Sequence, residues 1–264
     1  MNTMNVRGID LAYQVSGSGP SLIWGHGLSS SMAREADLGI IDWSRWNGHA
    51  TLIRYDARGH GESESTAKPA DYHWRELAMD QLALADALRI DTYIAGGASM
   101  GCATALHAAV IAPQRISALL LVIPPTAWES RVAQTTMYEL SAQLVETGQA
   151  ELMVAGARAT PPPDPLVGNQ LWLDGMETTF TSSDPVRLAR VFRGAAVADL
   201  PDPQEIAALK VPTLILAWTG DAGHPMSTAQ RLVELMPQAT LMAACTAEEL
   251  GNWTQASADF VNNL

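Results

Sequence analysis

The chain has 264 residues, a formal net charge of -12 at neutral pH, 47% hydrophobic residues and 17% charged ones. These values fit one large self-folding globular unit that removes about three quarters of its surface from water, and they exclude a disordered or collagen-like chain. The acidic balance opposes contact with a phosphate polyanion, so no nucleic-acid partner is expected.

In chain order, the opening "MNTMNVRGIDLAYQVSGSGP" lacks a basic segment followed by an apolar run and lacks a lipidation signal. No later stretch reaches about 18 uninterrupted apolar residues, so the expectation is a soluble, cytoplasmic protein with no membrane partner. The same opening, broken by glycines, predicts an antiparallel hairpin leading into a sheet. Short apolar runs follow at 21–24 (SLIW), 50–56 (ATLIRYD), 92–97 (TYIAGG), 118–123 (ALLLVI), 212–218 (PTLILAW) and 239–245 (ATLMAAC). Continuous apolar runs of this length suit strands covered on both faces. Between them Trp74, Leu77, Ala78, Leu82, Ala85 and Leu88 recur at helical spacing, as do Ala229, Leu232, Val233 and Met236. The alternation predicts an α/β fold, a mainly parallel sheet with helices on both sides.

That alternation stops between about 125 and 205. "PPTAWES" opens the interruption, "ATPPPDP" at 159–165 breaks it, and "SSDPVRLARVF" carries a helix start with Asp184 as N-cap and Pro185 in the first turn. The domain expectation is a core of 1–125 and 206–264 with a helical lid over 126–205. Two cysteines, Cys102 and Cys245, are too few for a disulfide framework and have no metal-binding spacing, so no metal is expected and both fit small apolar side chains.

The stretch "IAGGASMGCATALH" places Ser99 between glycines where an apolar run gives way to a helix-favouring one. A nucleophilic serine needs exposure, donors for an oxyanion and a base. Glycines on either side allow a sharp strand-to-helix turn that projects the hydroxyl, and the following helix points its positive end at developing charge. Alone, a G-x-S-x-G pattern also fits an ordinary turn. Here three further strand ends run into "GHGL" (25–28), "ARGHGES" (57–63) and "TGDAGHP" (219–225).

With these motifs in this order the chain resembles the α/β-hydrolase superfamily over nearly its whole length. The resemblance implies an eight-stranded, mostly parallel sheet with a helical lid after the sixth strand. It also implies that the Leu28 and Met100 amides form an oxyanion hole, that Asp221 holds the acid position, and that no cofactor is used. His26 then shapes the oxyanion loop, and Arg58 and His60 brace a turn. His107 fits a tolerated helix histidine, while His49 and His73 have no chemical neighbour visible in sequence.

The pattern breaks at the base. The family places its histidine after the last strand, whereas "ATLMAACTAEELGNWTQASADFVNNL" contains none, and the segment from Cys245 to Trp253 is short. Three readings follow. His224, just before a helix whose Ser227 and Gln230 resemble a capping box, serves Ser99; or the protein binds a small apolar ligand without turnover; or Glu248 or Glu249 supplies a carboxylate base. Trp24 and Trp218 end two strands and are candidates to line a substrate pocket. Arg187, Arg190 and Arg193 fit a solvated helix face or a site for a ligand carboxylate. The expected function is hydrolysis of a small-molecule ester, thioester or lactone by Ser99, with Asp221 and His224 completing the catalytic set. The alternatives are a binding protein, or a carbon-carbon hydrolase or lyase on the same scaffold.

Overall fold

The computed structural model describes residues 1–46 and 48–264, with the side chains of residues 173, 176, 181 and 182 left aside. β1 (Asn2–Val6) and β2 (Ile9–Gly17) form an antiparallel hairpin whose two turn residues, Arg7 and Gly8, have φ of 50° and 82°. Positive φ at both positions gives the turn the right-handed twist of its strands. The chain continues through β3 (Ser21–Gly25), α1 (Met32–Leu38), β4 (Thr51–Tyr55), α2 (Trp74–Ala87), β5 (Tyr93–Ala98), α3 (Met100–Ile111) and β6 (Ile116–Val122). Four helices interrupt the alternation: α4 (Arg131–Glu146), α5 (Ala150–Ala159), α6 (Gln170–Ser182) and α7 (Pro185–Ala196). Then come α8 (Pro203–Ala207), β7 (Thr213–Trp218), α9 (Met226–Leu235), β8 (Ala239–Ala244), α10 (Ala247–Gly251) and α11 (Trp253–Asn262).

The eight strands lie in the order β1-β2-β4-β3-β5-β6-β7-β8, all parallel from β4 to β8. Side-chain alternation divides the core. Ile23, Tyr93, Ala95, Leu119 and Ile215 point toward α2, α3 and α9, whereas Leu22, Trp24, Leu120, Leu216 and Trp218 point toward α10 and α11. Burial on both faces is why these strands read as continuous apolar runs.

The helices between β6 and β7 have a small core of their own, where Ala142 and Val145 of α4 meet Leu188 and Phe192 of α7. Asp184 caps α7, its carboxylate accepting from the Arg187 N–H at 2.7 Å with Pro185 at the first position. The capping box expected from Ser227 and Gln230 does not form: α9 begins at Met226 with Pro225 as its N-cap, so Ser227 already lies inside the first turn. No helix among the described residues is long and apolar enough to cross a membrane.

Candidate active site

Ser99 joins β5 to α3 with φ 53° and ψ -109°, a conformation strained for any residue with a Cβ and costing on the order of 1–3 kcal/mol. Its surroundings hold it there. The Ser99 N–H donates to the Val122 carbonyl at 2.9 Å, and its carbonyl accepts from the Cys102 N–H at 2.9 Å. The flanking glycines are required by contact as well as by the turn. A Cβ at Gly97 would lie 2.5 Å from the Gly101 backbone, and one at Gly101 would lie 2.0 Å from the Gly25 carbonyl oxygen. Close approach of β3, β5 and α3 thus leaves the serine as the projecting side chain of the corner, 8% exposed.

The loop from β7 to α9 brings two more groups to it. His224 Nε2 lies 2.7 Å from Ser99 Oγ, and His224 Nδ1 lies 2.7 Å from Asp221 Oδ2. Because an ionised carboxylate only accepts, the Nδ1–H donates to Asp221 and Nε2 is left to accept the Ser99 hydroxyl proton. Asp221 also accepts from the Trp218 indole N–H at 2.9 Å, the Gly223 N–H at 2.8 Å and the His224 N–H at 3.3 Å. Burial alone would raise its pKa, but the His224 charge and these donors outweigh burial and hold it at about 2. Neighbours pin the loop: the Thr126 N–H donates to the Gly223 carbonyl at 3.0 Å, and the Asp164 N–H to the Thr219 carbonyl at 2.9 Å.

Across from His224 runs the turn after β3. His26 is buried in it; Nε2 accepts from the Ala57 N–H at 3.0 Å, so Nδ1–H donates to the Gly27 carbonyl at 2.7 Å. Burial lowers its pKa, which keeps the ring neutral and suits it to shaping the turn. The Leu28 and Met100 N–H groups have no hydrogen-bond partner among the described residues, and Met100 opens α3. The first amides of a helix are free to bind an anion.

Ser99 and His224 open onto a cavity of about 160 Å³ walled by Trp24, Trp43, Trp172 and Trp218. The two tryptophans expected from strand ends are therefore lining residues. Trp43, Trp172 and Glu35 also line it and carry no motif in the sequence; Glu35 sits in α1, where its carboxylate Oε2 accepts from the Trp24 indole N–H at 2.8 Å.

The remaining candidates lie elsewhere. Arg58 pairs with Asp80 at 2.7 Å, and the His60 Nδ1–H donates to the Arg58 carbonyl at 2.9 Å, burial pushing the His60 pKa down to about 3. His107 donates to the Asp199 carbonyl at 2.9 Å, His73 caps α2, and His49 meets Asn262 at 2.8 Å. Neither Glu248 nor Glu249 lines the cavity; α10 follows β8 at once, and the Glu249 carboxylate accepts from the Cys245 N–H at 2.6 Å. The lid arginines are half-buried and do not form one solvated face. Arg187 donates to the Gly61 carbonyl at 3.2 Å and Arg190 to the Thr66 carbonyl at 3.4 Å, tying α7 to the core, while Arg193 pairs with Glu146. No cluster of three or more His, Cys, Asp or Glu placed to hold a metal occurs among the described residues.

Residues 25–147 match the family model described as alpha/beta hydrolase fold. The 3-oxoadipate enol-lactonase 2 of Acinetobacter baylyi is 24% identical over 248 residues, covering 91% of this chain and 86% of that protein. The crystal structure of the enol-lactonase from Burkholderia xenovorans LB400 superposes with a TM-score of 0.83 at 22% identity, covering 98% of this chain and 99% of that one. A thermophilic esterase from Thermogutta terrifontis superposes with a TM-score of 0.82 at 20% identity, covering 100% and 99%. At these identities the structural likeness establishes the fold.

Proposed function

We propose that this chain, whose residues 25–147 match the alpha/beta hydrolase fold family and whose architecture is that fold, hydrolyses a small carboxylic ester, lactone or thioester through an acyl-enzyme on Ser99. The observation that carries the reading is the single imidazole bridging Ser99 and Asp221 at 2.7 Å on each side. The names of the similar proteins, two enol-lactonases and an esterase, point the same way.

In this mechanism Ser99 Oγ attacks the acyl carbon as its proton passes to His224 Nε2. The carbonyl oxygen takes the displaced electron pair and is held by the Leu28 and Met100 N–H groups. Such donors act in a site already desolvated, and removing one typically costs about 100- to 1,000-fold in turnover. Asp221 fixes the imidazole tautomer and stabilises the imidazolium without taking its proton, in keeping with its low pKa. Collapse expels the alcohol, thiol or ring oxygen, which receives the His224 proton. Water, deprotonated by the same nitrogen, then cleaves the acyl-Ser99 ester and regenerates the hydroxyl. Every proton and electron pair is accounted for by these groups and one water, so the cycle closes on the chain's own residues.

A fluorophosphonate probe tests the reading. Labelling mapped to Ser99, together with turnover of short-chain 4-nitrophenyl esters abolished in Ser99→Ala, is the expected result. Absence of both from folded protein would leave a ligand-binding protein on a hydrolase scaffold.

A further inference from the structure

Apart from Ser30 and the Ser99–His224 pair, the cavity beside Ser99 is lined by apolar side chains and backbone and by one carboxyl. Glu35 is the only carboxyl among its described lining residues, set within walls supplied by Trp24, Trp43 and Ile41. No cation lies within ion-pair distance of it among the described residues. Arg54, the cation whose charge acts on it, is engaged otherwise: it lies over the Trp43 ring 5.2 Å from the centroid, donates to Gln14 Oε1 at 3.0 Å and to the Met32 carbonyl at 3.3 Å. A carboxyl enclosed by aromatic and aliphatic groups is expensive to maintain unless it has a partner. The Trp24 indole N–H satisfies one oxygen, Oε2. Resting on the serine-hydrolase reading above, we infer that Glu35 is the polar anchor of this cavity and selects substrates whose enclosed portion carries a ketone or hydroxyl oxygen.

The protonation state fixes which chemistry it recognises. Burial pushes the Glu35 pKa up to about 8, against the opposing pull of the Trp24 N–H, the Arg54 charge and the Gly27 amide. A shift in this direction favours the neutral acid near neutral pH. An indole N–H can only donate, so Oε2 acts as acceptor toward Trp24, and we assign the proton of the neutral acid to Oε1. A neutral acid held this way offers one O–H donor, and its complement is an oxygen acceptor on the substrate. An all-hydrocarbon group would fill the space and leave that donor unpaired. Size adds a second limit: an apolar cavity of about 150 Å³ admits a guest the size of benzene, so the enclosed portion is a short one. Sites built to hydrogen-bond a substrate discriminate far more sharply against an analogue lacking the group than apolar pockets discriminate by size.

The test compares near-isosteric esters on one enzyme preparation, so that the fraction of active protein cancels in each ratio. The pairs are 4-nitrophenyl 4-oxopentanoate against pentanoate, 4-nitrophenyl 5-oxohexanoate against hexanoate, and 5-oxohexyl against hexyl acetate. The expected result is a kcat/KM ratio favouring the oxo ester by at least about tenfold in one pair, kept within about threefold in Glu35→Gln, whose amide still donates, and reduced to about one in Glu35→Leu. A ratio of one or below in every pair, or a preference that survives Glu35→Leu, overturns the inference. Binding separates this outcome from failure of the hydrolase reading. Ser99→Ala is titrated with N-butyl-5-oxohexanamide and N-butylhexanamide, read by quenching of the four lining tryptophans. Tighter binding of the oxo amide, lost in the Ser99→Ala, Glu35→Leu double variant, supports the anchor even if no ester is turned over; equal binding of the two amides overturns it.

Discussion

Asp221→Asn changes one atom and sets two halves of a donor array against each other. The carboxylate receives four N–H groups: Trp218 indole and His224 Nδ1–H on Oδ2, at 2.9 and 2.7 Å, and the Gly223 and His224 backbone amides on Oδ1, at 2.8 and 3.3 Å. Asparagine has one acceptor oxygen, so its NH2 must face a pair of donors. The backbone amides belong to a loop pinned at Thr219 and Gly223 and cannot turn away, whereas the imidazole can shift its proton from Nδ1 to Nε2. The amide oxygen is therefore expected on the backbone side, with the NH2 donating to a deprotonated Nδ1. Nε2 then carries hydrogen and cannot accept the Ser99 proton. Losing the correct tautomer in a Ser-His-Asp array costs about 10,000-fold in turnover in the protease where it has been dissected, and a fall of about 100- to 10,000-fold in kcat is expected here. The assay is 4-nitrophenyl ester turnover with circular dichroism to establish folding. The Trp218 N–H opposed by the new NH2 adds a lower melting temperature. A variant that folds and keeps more than about a tenth of wild-type kcat would refute the tautomer argument.

His224→Ala should lower kcat by about 100- to 10,000-fold and slow fluorophosphonate labelling of Ser99, with secondary structure unchanged; activity within tenfold of wild type would remove the imidazole from the mechanism. Gly101→Ala drives a Cβ to 2.0 Å from the Gly25 carbonyl, backbone against backbone, and should lose more than about 1–3 kcal/mol in denaturant melts. Its control is Gly156→Ala in α5, where nothing lies within 4 Å, and where a gain of up to about 1 kcal/mol is expected. Asp221 also predicts an acid limb. Its folded pKa is depressed from 3.8 to about 2, so its contribution of about 2 kcal/mol is fully present above pH 3.8 and lost as pH falls through about 2. Chemical denaturation between pH 5 and pH 2 should show that slope in the wild type and less of it in Asp221→Asn.

What the sequence disclosed and what it hid divide along a physical line. Strands buried on both faces must be continuously apolar, so β3 to β7 are visible as runs, β8 at the sheet edge shows as one through its alanines, leucine and methionine although it is largely half-buried, and the Ser99 corner is visible because glycines are forced wherever β3, β5 and α3 meet backbone to backbone. Counting histidines singled out His224, but spacing could not tell that a three-residue separation curls the Asp221 carboxylate onto its Nδ1. Glu35 left no trace, since a seven-residue helix has too little periodicity to reveal which face it turns inward. Ser227 misled because the capping pattern is common and Pro225 had already started the helix one residue earlier. The lid arginines read as a charged face because their partners, the carbonyls of Gly61 and Thr66, are backbone atoms more than 120 positions away.

The proposed mechanism places acid and base on one loop, between β7 and α9, and this bears on the other end of the sheet. On the proposed mechanism no chemical group is required after β8, where the chain turns at once into α10, opened by the Thr246 and Glu249 capping box, and delivers Trp253 fully buried onto Trp218, ring centroids 6.0 Å apart and nearly parallel. Trp218 in turn meets Trp172 of the lid edge-on at 5.7 Å, lines the cavity, and donates its indole N–H to Asp221. One side chain thus joins the C-terminal helices, the lid, the pocket wall and the carboxylate that orients the imidazole. A protein whose base arrives on a separate loop can adjust acid and base independently. Here, a shift of Trp218 moves the pocket wall and the acid together, so repacking at Trp253, stacked on the Trp218 ring, reaches the Asp221–His224 pair through that ring.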